Sequence, residues 1–195
     1  MTTIANLMTP GPAYVPLRLS GKPIVLKAVV VALGVGFLTA SSLVQVPMIP
    51  VPMTMQTFAV LMVGALCGWR LSAVTVIAWL ALAMLNVPVL SEGKAGLAVF
   101  AGTTGGYLAA FPIMSLFIGW MAERGWTSRP VPAFLTLLIA EAICFTLGVA
   151  WLSSIIGFSS AVWYGFVLFA FGDLLKTLLA VALLTASRRA LPNAG

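Results

Sequence analysis

Residues 161–186 form an apolar stretch of Phe, Leu, Val, Ala and Gly, yet Asp173 and Lys176 sit inside it. A helix needs about 20 apolar residues to cross a bilayer, with roughly 17–25 common. An ion at the bilayer centre costs about 2.5–3.5 kcal/mol on insertion scales, so a charged residue at that depth usually serves a site. The i, i+3 spacing puts both side chains on one helical face, where they either share a polar target or neutralise each other.

The rest of the chain enforces the membrane reading. Hydrophobic residues make up 62% of it and charged residues 7%, against about 25% charged in soluble domains. Such a surplus cannot be hidden in one water-facing core. The expected fold is an all-α membrane protein, a single bundle of six transmembrane helices. The predicted spans are 24–46, 57–68, 71–85, 105–122, 132–153 and 161–186, with a tight turn at Trp69 and Arg70 and a kink at Pro112. Residues 1–23 carry Pro10, Pro12, Pro16 and Pro23 and no apolar h-region, so they read as a cytoplasmic leader. A substrate-binding domain over 24–187 and a cytoplasmic tail over 188–195 complete the division.

Lys and Arg counts set the orientation. With the N-terminus inside, the cytoplasmic side holds Arg18, Lys22, Lys27, Arg70, Arg124, Arg129, Arg188 and Arg189, and the external loops hold Lys94. Both termini are then cytoplasmic. The basic excess reports topology and leaves no nucleic-acid footprint. Trp69, Trp120, Trp126 and Trp163 fall near span ends, as interfacial anchors do. Cys67 and Cys144 lie in apolar stretches, and the chain has no histidine to complete a zinc set, so neither a metal nor another cofactor is expected.

Two external loops are candidates for a pocket. The first holds Pro47, Pro50 and Pro52, which stiffen it, with Thr54 and Gln56 as its strong hydrogen-bonding side chains. The second, 86–106, is long for a small bundle, rich in glycine, and carries Asn86, Glu92 and Lys94. Lys94 either meets a ligand carboxylate or pairs with Glu92. Gly102-Thr103-Thr104-Gly105-Gly106 is no P-loop, since it lacks the GxxxxGK[ST] pattern, and the chain should not hydrolyse nucleotide by itself. Glu141, in the middle of the fifth span, is expected to have a gating or structural role. Ala28, Ala32, Gly36 and Ala40 recur every four residues on the first span, a small-residue row that packs inside the bundle or faces another membrane protein.

Taken in order, four blocks resemble the biotin-specific substrate-binding (S) components of energy-coupling factor (ECF) transporters, the BioY family. They are Pro50-Val51-Pro52-Met53-Thr54-Met55-Gln56-Thr57; Val87-Pro88-Val89 leading to Gly93-Lys94-Ala95-Gly96; Gly102-Thr103-Thr104-Gly105-Gly106-Tyr107; and Asp173-x-x-Lys176. The likeness extends over 24–186. It implies a subunit that binds biotin near its outer face under the two loops, with Asp173 and Lys176 in the pocket. It also implies Gln56 and Lys94 as ligand contacts, with Asn86, Thr54, Gly105 and Tyr107 completing the substrate-binding set. Ala28, Ala32 and Gly36 become the docking face for a transmembrane coupling (T) subunit, itself driven by two cytoplasmic ABC-type ATPases in the bacterial inner membrane. The ureido ring would meet Asp173, Lys176 and Asn86, the carboxylate Lys94 and Gln56, and the apolar part a slot of Phe166, Phe169 and Leu90. The chain departs from the family in two places. It has Glu92-Gly93-Lys94-Ala95-Gly96 where the family is often arginine-centred, and Gly102-Thr103-Thr104 where Gly-Pro-Thr is common. A proton-coupled carrier using Glu141 and Asp173 is the competing expectation. An intramembrane hydrolase is disfavoured by the absence of histidine.

Overall fold

The first helix of the computed structural model, α1 (Ile24–Leu43), starts where Pro23 fixes an extended backbone and ends at Val44. The structure describes Leu17 and residues 21–190, so most of the expected leader and the end of the expected tail lie outside the described residues. Of α1, only Leu38, Ser41 and Ser42 are buried, and apolar side chains such as Ile24 and Leu33 stand open. Such a surface is stable in lipid and not in water. Ala28, Ala32, Gly36 and Ala40 are all exposed, and a Cβ built on Gly36 would meet nothing. The small-residue row therefore faces outward. Gly34, by contrast, lets α1 close on Thr75, whose Cγ2 lies 2.6 Å from where a Cβ would sit.

The first loop is a short hairpin. Strand β1 (Gln45–Val46) pairs antiparallel with β2 (Met53–Thr54), Gln45 opposite Thr54. Pro47, Pro50 and Pro52 cannot donate to a ladder, and the pairing stops after two residues. The tip turns inward: Val51 is buried with Leu152, Ala161 and Phe169 in a satellite cluster.

Helix α2 (Gln56–Met84) contains a break at Gly68, where φ is 75° and ψ 168°. In an unbroken helix Gly64 and Ser72 would lie about 12 Å apart along the axis. Here both reach the same carbonyl oxygen: Ser115 O accepts from Ser72 Oγ at 3.0 Å and lies 3.4 Å from a Cβ built on Gly64. The chain thus folds back on itself at Gly68, one residue before the turn predicted at Trp69 and Arg70. The positive φ explains why, since glycine tolerates it without steric cost. The Trp69 N–H exposed by the break donates to Glu123 Oε1 at 3.3 Å. At this corner Arg70 lies over the Trp69 ring and Arg124 over the Trp120 ring.

The long connection that follows is fixed rather than loose. A 3-10 turn (Ser91–Gly93) and a short helix α3 (Leu97–Ala101) interrupt it. Trp79 Nε1 donates to Val89 O at 3.2 Å, Trp151 Nε1 to Gly102 O at 2.9 Å, and Gly96 N to Ala83 O at 2.7 Å. Helix α4 (Gly105–Glu123) accommodates Pro112 and packs in the centre of the molecule. Its Met114 and Ile118 share the main core with Leu61, Val76, Trp79 and Leu137.

Helix α5 (Pro130–Ile156) opens on Pro130 and ends at Gly157, whose φ is 83°. The last apolar stretch is longer and less regular than expected. It comprises a short helix α6 (Phe158–Val162), a π-helical segment (Trp163–Val167) and α7 (Leu168–Ala190). Among the described residues, five helical stretches are long and apolar enough to cross a membrane, with Gln56–Met84 counted as one. Cys67 and Cys144 are both free.

Candidate ligand-binding site

The polar cluster forms where the first loop enters α2 beside α7. The hairpin delivers Thr54, and the N-terminal turn of α2 delivers Gln56 and Thr57. Gly172 lets the loop sit directly on α7: a Cβ there would lie 2.8 Å from Met53 Sδ. From α7, Lys176 Nζ donates to Asp173 Oδ1 at 2.6 Å, to the Thr54 carbonyl at 2.6 Å and to Thr57 Oγ1 at 3.3 Å. Thr57 Oγ1 in turn donates to Asp173 Oδ1 at 3.0 Å. Asp173 is 3% and Lys176 8% exposed. Two charges taken out of water this completely hold together only with good geometry and extra hydrogen bonds. The Thr54 carbonyl and the Thr57 hydroxyl supply those bonds.

A second network braces the same loop. The Gln56 side chain is buried; its Nε2 donates to Ser42 Oγ at 3.0 Å, and its Oε1 accepts from Thr54 Oγ1 at 3.2 Å. The Gln56 N–H donates to Thr54 Oγ1 at 3.3 Å, and Ser42 donates to Leu38 O at 2.8 Å. Gln56 therefore clamps the start of α2 to the end of α1. Tyr107 crosses the bundle and donates its hydroxyl to Gly165 O at 2.8 Å, in the π-helical segment. Its ring lies so close to Gly148 that a Cβ there would fall 2.2 Å from Cε1. Glu141 is buried on α5, which packs against α7, and neither of its carboxyl oxygens has a hydrogen-bond partner among the described residues.

The sequence model of the BioY family matches residues 13–193, nearly the whole chain. The chain belongs to the BioY family. The biotin transporter BioY2 of Lactococcus lactis subsp. cremoris (strain MG1363) is 30% identical over 165 residues, 84% of this chain and 90% of that protein. A biotin transporter BioY of Rhizobium etli (strain ATCC 51251 / DSM 11541 / JCM 21823 / NBRC 15573 / CFN 42) is 32% identical over 165 residues, 80% of this chain and 85% of that protein. Among solved structures, the fold is similar to the crystal structure at 2.1 Å of the S-component for biotin from an ECF-type ABC transporter. The TM-score is 0.72 at 27% identity, covering 85% of this chain and 92% of that one. Membership of a transporter family and its apolar helices together make this BioY-family chain a multi-pass membrane protein.

Not every candidate joins the polar cluster. Lys94 pairs with Glu92 at 2.5 Å, and its side chain is 51% exposed on the second loop. Asn86 is exposed just past the end of α2 with φ 66°, and its Oδ1 would lie 2.8 Å from a Cβ on Gly96. Gly105 has a packing reason of its own, since a Cβ there would fall 1.9 Å from Phe100 O. Of the expected apolar slot, Phe169 is buried under Val51, Leu90 lies in the main core, and Phe166 is exposed with its ring edge-on to Phe145.

Four residues outside the expected set are structurally central here: Ser42, Thr57, Thr103 and Gly165. Thr57 stood inside the first motif block, and its i+3 spacing from Thr54 was the available signal. For Ser42, Thr103 and Gly165, spacing along the chain carries none.

Proposed function

We propose that this chain is the biotin-binding S component of an ECF-type vitamin uptake transporter in the bacterial cytoplasmic membrane. It crosses that membrane six times, with both termini inside and the break at Gly68 separating two crossings. Biotin enters from outside between the first and second loops. Its ureido ring reaches the Asp173–Lys176 floor, its apolar part lies along the Val51–Phe169 cluster, and its carboxylate points back toward Lys94 at the mouth. The subunit performs no chemical step. A T subunit docks on the exposed Ala28, Ala32 and Gly36 row, and two cytoplasmic ATPases drive release inward.

The observation that carries this reading is the buried Asp173–Lys176 pair bound to the loop through Thr54 and Thr57. The pair thereby ties α7 to the first loop, one of the two loops between which the ligand is to enter. Most affinity should come from apolar burial, with a few polar groups fixing orientation. Calorimetric titration of the purified protein with biotin is the direct test. Absence of binding, or equal binding by Asp173→Asn and Lys176→Met variants, would remove the assignment.

A proton-coupled carrier is the second reading, favoured by the unpartnered carboxyl of Glu141. Uptake by this chain without any ATPase, abolished by an uncoupler, would select it.

A further inference from the structure

Lys176 has three N–H donors, and all three are used inside the protein, on Thr54 O, Thr57 Oγ1 and Asp173 Oδ1. A ligand brought to this pair meets no donor that is free. The unused hydrogen-bonding capacity nearby is mostly of the accepting kind. Glu141 is 3% exposed, and both of its oxygens are enclosed and without a partner among the described residues. It stands on the buried face of α5 with Leu137, Ala140 and Cys144, and α5 packs against α7, the helix that carries Asp173 and Lys176. Asp173 receives both of its hydrogen bonds on Oδ1, which leaves Oδ2 able to accept. One donor complements them: the hydroxyl of Thr177, fully buried one turn beyond Asp173, also has no partner.

An unpaired buried carboxyl is expensive and is tolerated where something else supplies its partner. We propose that Glu141 is a ligand-binding residue, accepting a hydrogen bond from one ureido N–H of the bound vitamin. Lys176 is then a positioning residue that fixes Asp173 and holds down the first loop. A cyclic urea has two N–H donors and one carbonyl acceptor. Glu141 and Asp173 match the donors, and Thr177 matches the carbonyl. The inference rests on the biotin reading and deepens it.

The test uses the full-length protein purified in detergent, titrated calorimetrically with biotin and with two analogues. In each analogue one of the two ureido N–H groups is replaced by an isosteric ring oxygen. Glu141→Met should bind biotin about 10- to 100-fold more weakly, the range expected for losing a hydrogen bond to a charged group. It should bind one of the two analogues no more weakly than the wild type does. Glu141→Gln, which keeps one accepting oxygen, should fall between the wild type and Glu141→Met. Ligand-free Glu141→Met should melt at or above the wild-type temperature, because a buried carboxyl without a partner has been replaced by an apolar side chain. Unchanged biotin affinity overturns the inference while leaving the biotin reading intact. Equal weakening of all three ligands with a lowered melting temperature overturns it too, since that is the signature of a structural role. A wild-type protein that does not bind biotin removes both.

Discussion

Thr103 donates its hydroxyl to the carbonyl of Pro50 across 3.0 Å, joining the two outer loops. Each loop is otherwise held by the helices around it: the first by Val51 and the Gln56 clamp, the second by the indoles of Trp79 and Trp151. The Thr103 bond is the direct polar link between them among the described residues. Thr103→Val keeps the shape and removes the donor. A neutral hydrogen bond contributes about 0.5–1.5 kcal/mol net, so biotin dissociation should speed up about 2- to 12-fold with little change in association. Stopped-flow displacement reads this directly. A lowered melting temperature with an unchanged off-rate would place Thr103 in stability alone.

The Asp173–Lys176 pair makes an asymmetric prediction. Removing one partner leaves the other charged, buried and unmatched, which costs about 3–5 kcal/mol, whereas replacing both is often neutral or stabilising. Thermal unfolding in detergent should therefore rank Lys176→Met well below the wild type. The double variant Asp173→Asn, Lys176→Met should melt close to the wild type. The double variant should nevertheless bind biotin poorly, because Asp173 no longer offers an ionised acceptor. Restored stability together with restored binding would mean that the pair is only a lock.

What the sequence made legible follows from chemistry that is rare in hydrocarbon. Asp173, Lys176 and Glu141 are conspicuous because few ions occur in such stretches, and Pro47, Pro50 and Pro52 mark a loop because they cannot serve a helix or a ladder. The reversal was legible within a residue, since Gly68-Trp69-Arg70, a glycine and an arginine flanking a tryptophan between two apolar stretches, is a poor helix interior. Hydroxyls are different. Thr39, Thr75, Thr146 and Thr185 bond only their own i−4 carbonyls, whereas Ser42 and Thr57 reach across elements. Only the tertiary fold distinguishes those two groups. The π-helical segment at Trp163–Val167 was equally hidden, because its residues suit an α-helix as well.

Lys94 and Glu92 give a competition experiment. They are paired and about half exposed, so the pair itself contributes about 0–1 kcal/mol to stability. If the ligand carboxylate reaches Lys94, it must displace Glu92. Glu92→Gln should then tighten biotin binding a few-fold at low salt, and Lys94→Gln should weaken it, with neither variant shifting the melting temperature. Biotin methyl ester, lacking the negative charge, should bind both variants alike. A Lys94→Gln protein that loses as much affinity for the ester as for the acid would move the carboxylate contact elsewhere.

If a T subunit docks on the outward face of α1, substitutions there should separate capture from transport. Ala28, Ala32 and Gly36 are exposed, and Gly36 leaves open space where a side chain would project. A larger residue there touches nothing within the chain, so Gly36→Leu should leave the fold and the biotin affinity as they are. It would, however, hold a partner helix away, because close backbone approach depends on small residues at the contact. In cells or proteoliposomes containing the complete transporter, uptake should fall to a small fraction of the wild type, and co-purification of the T subunit should fall with it. Ala32→Leu should behave alike from one turn earlier. On the opposite side of the helix, Gly34→Leu would collide with Thr75 and lower the melting temperature itself. Uptake that survives Gly36→Leu and Ala32→Leu together would put the docking face on another helix.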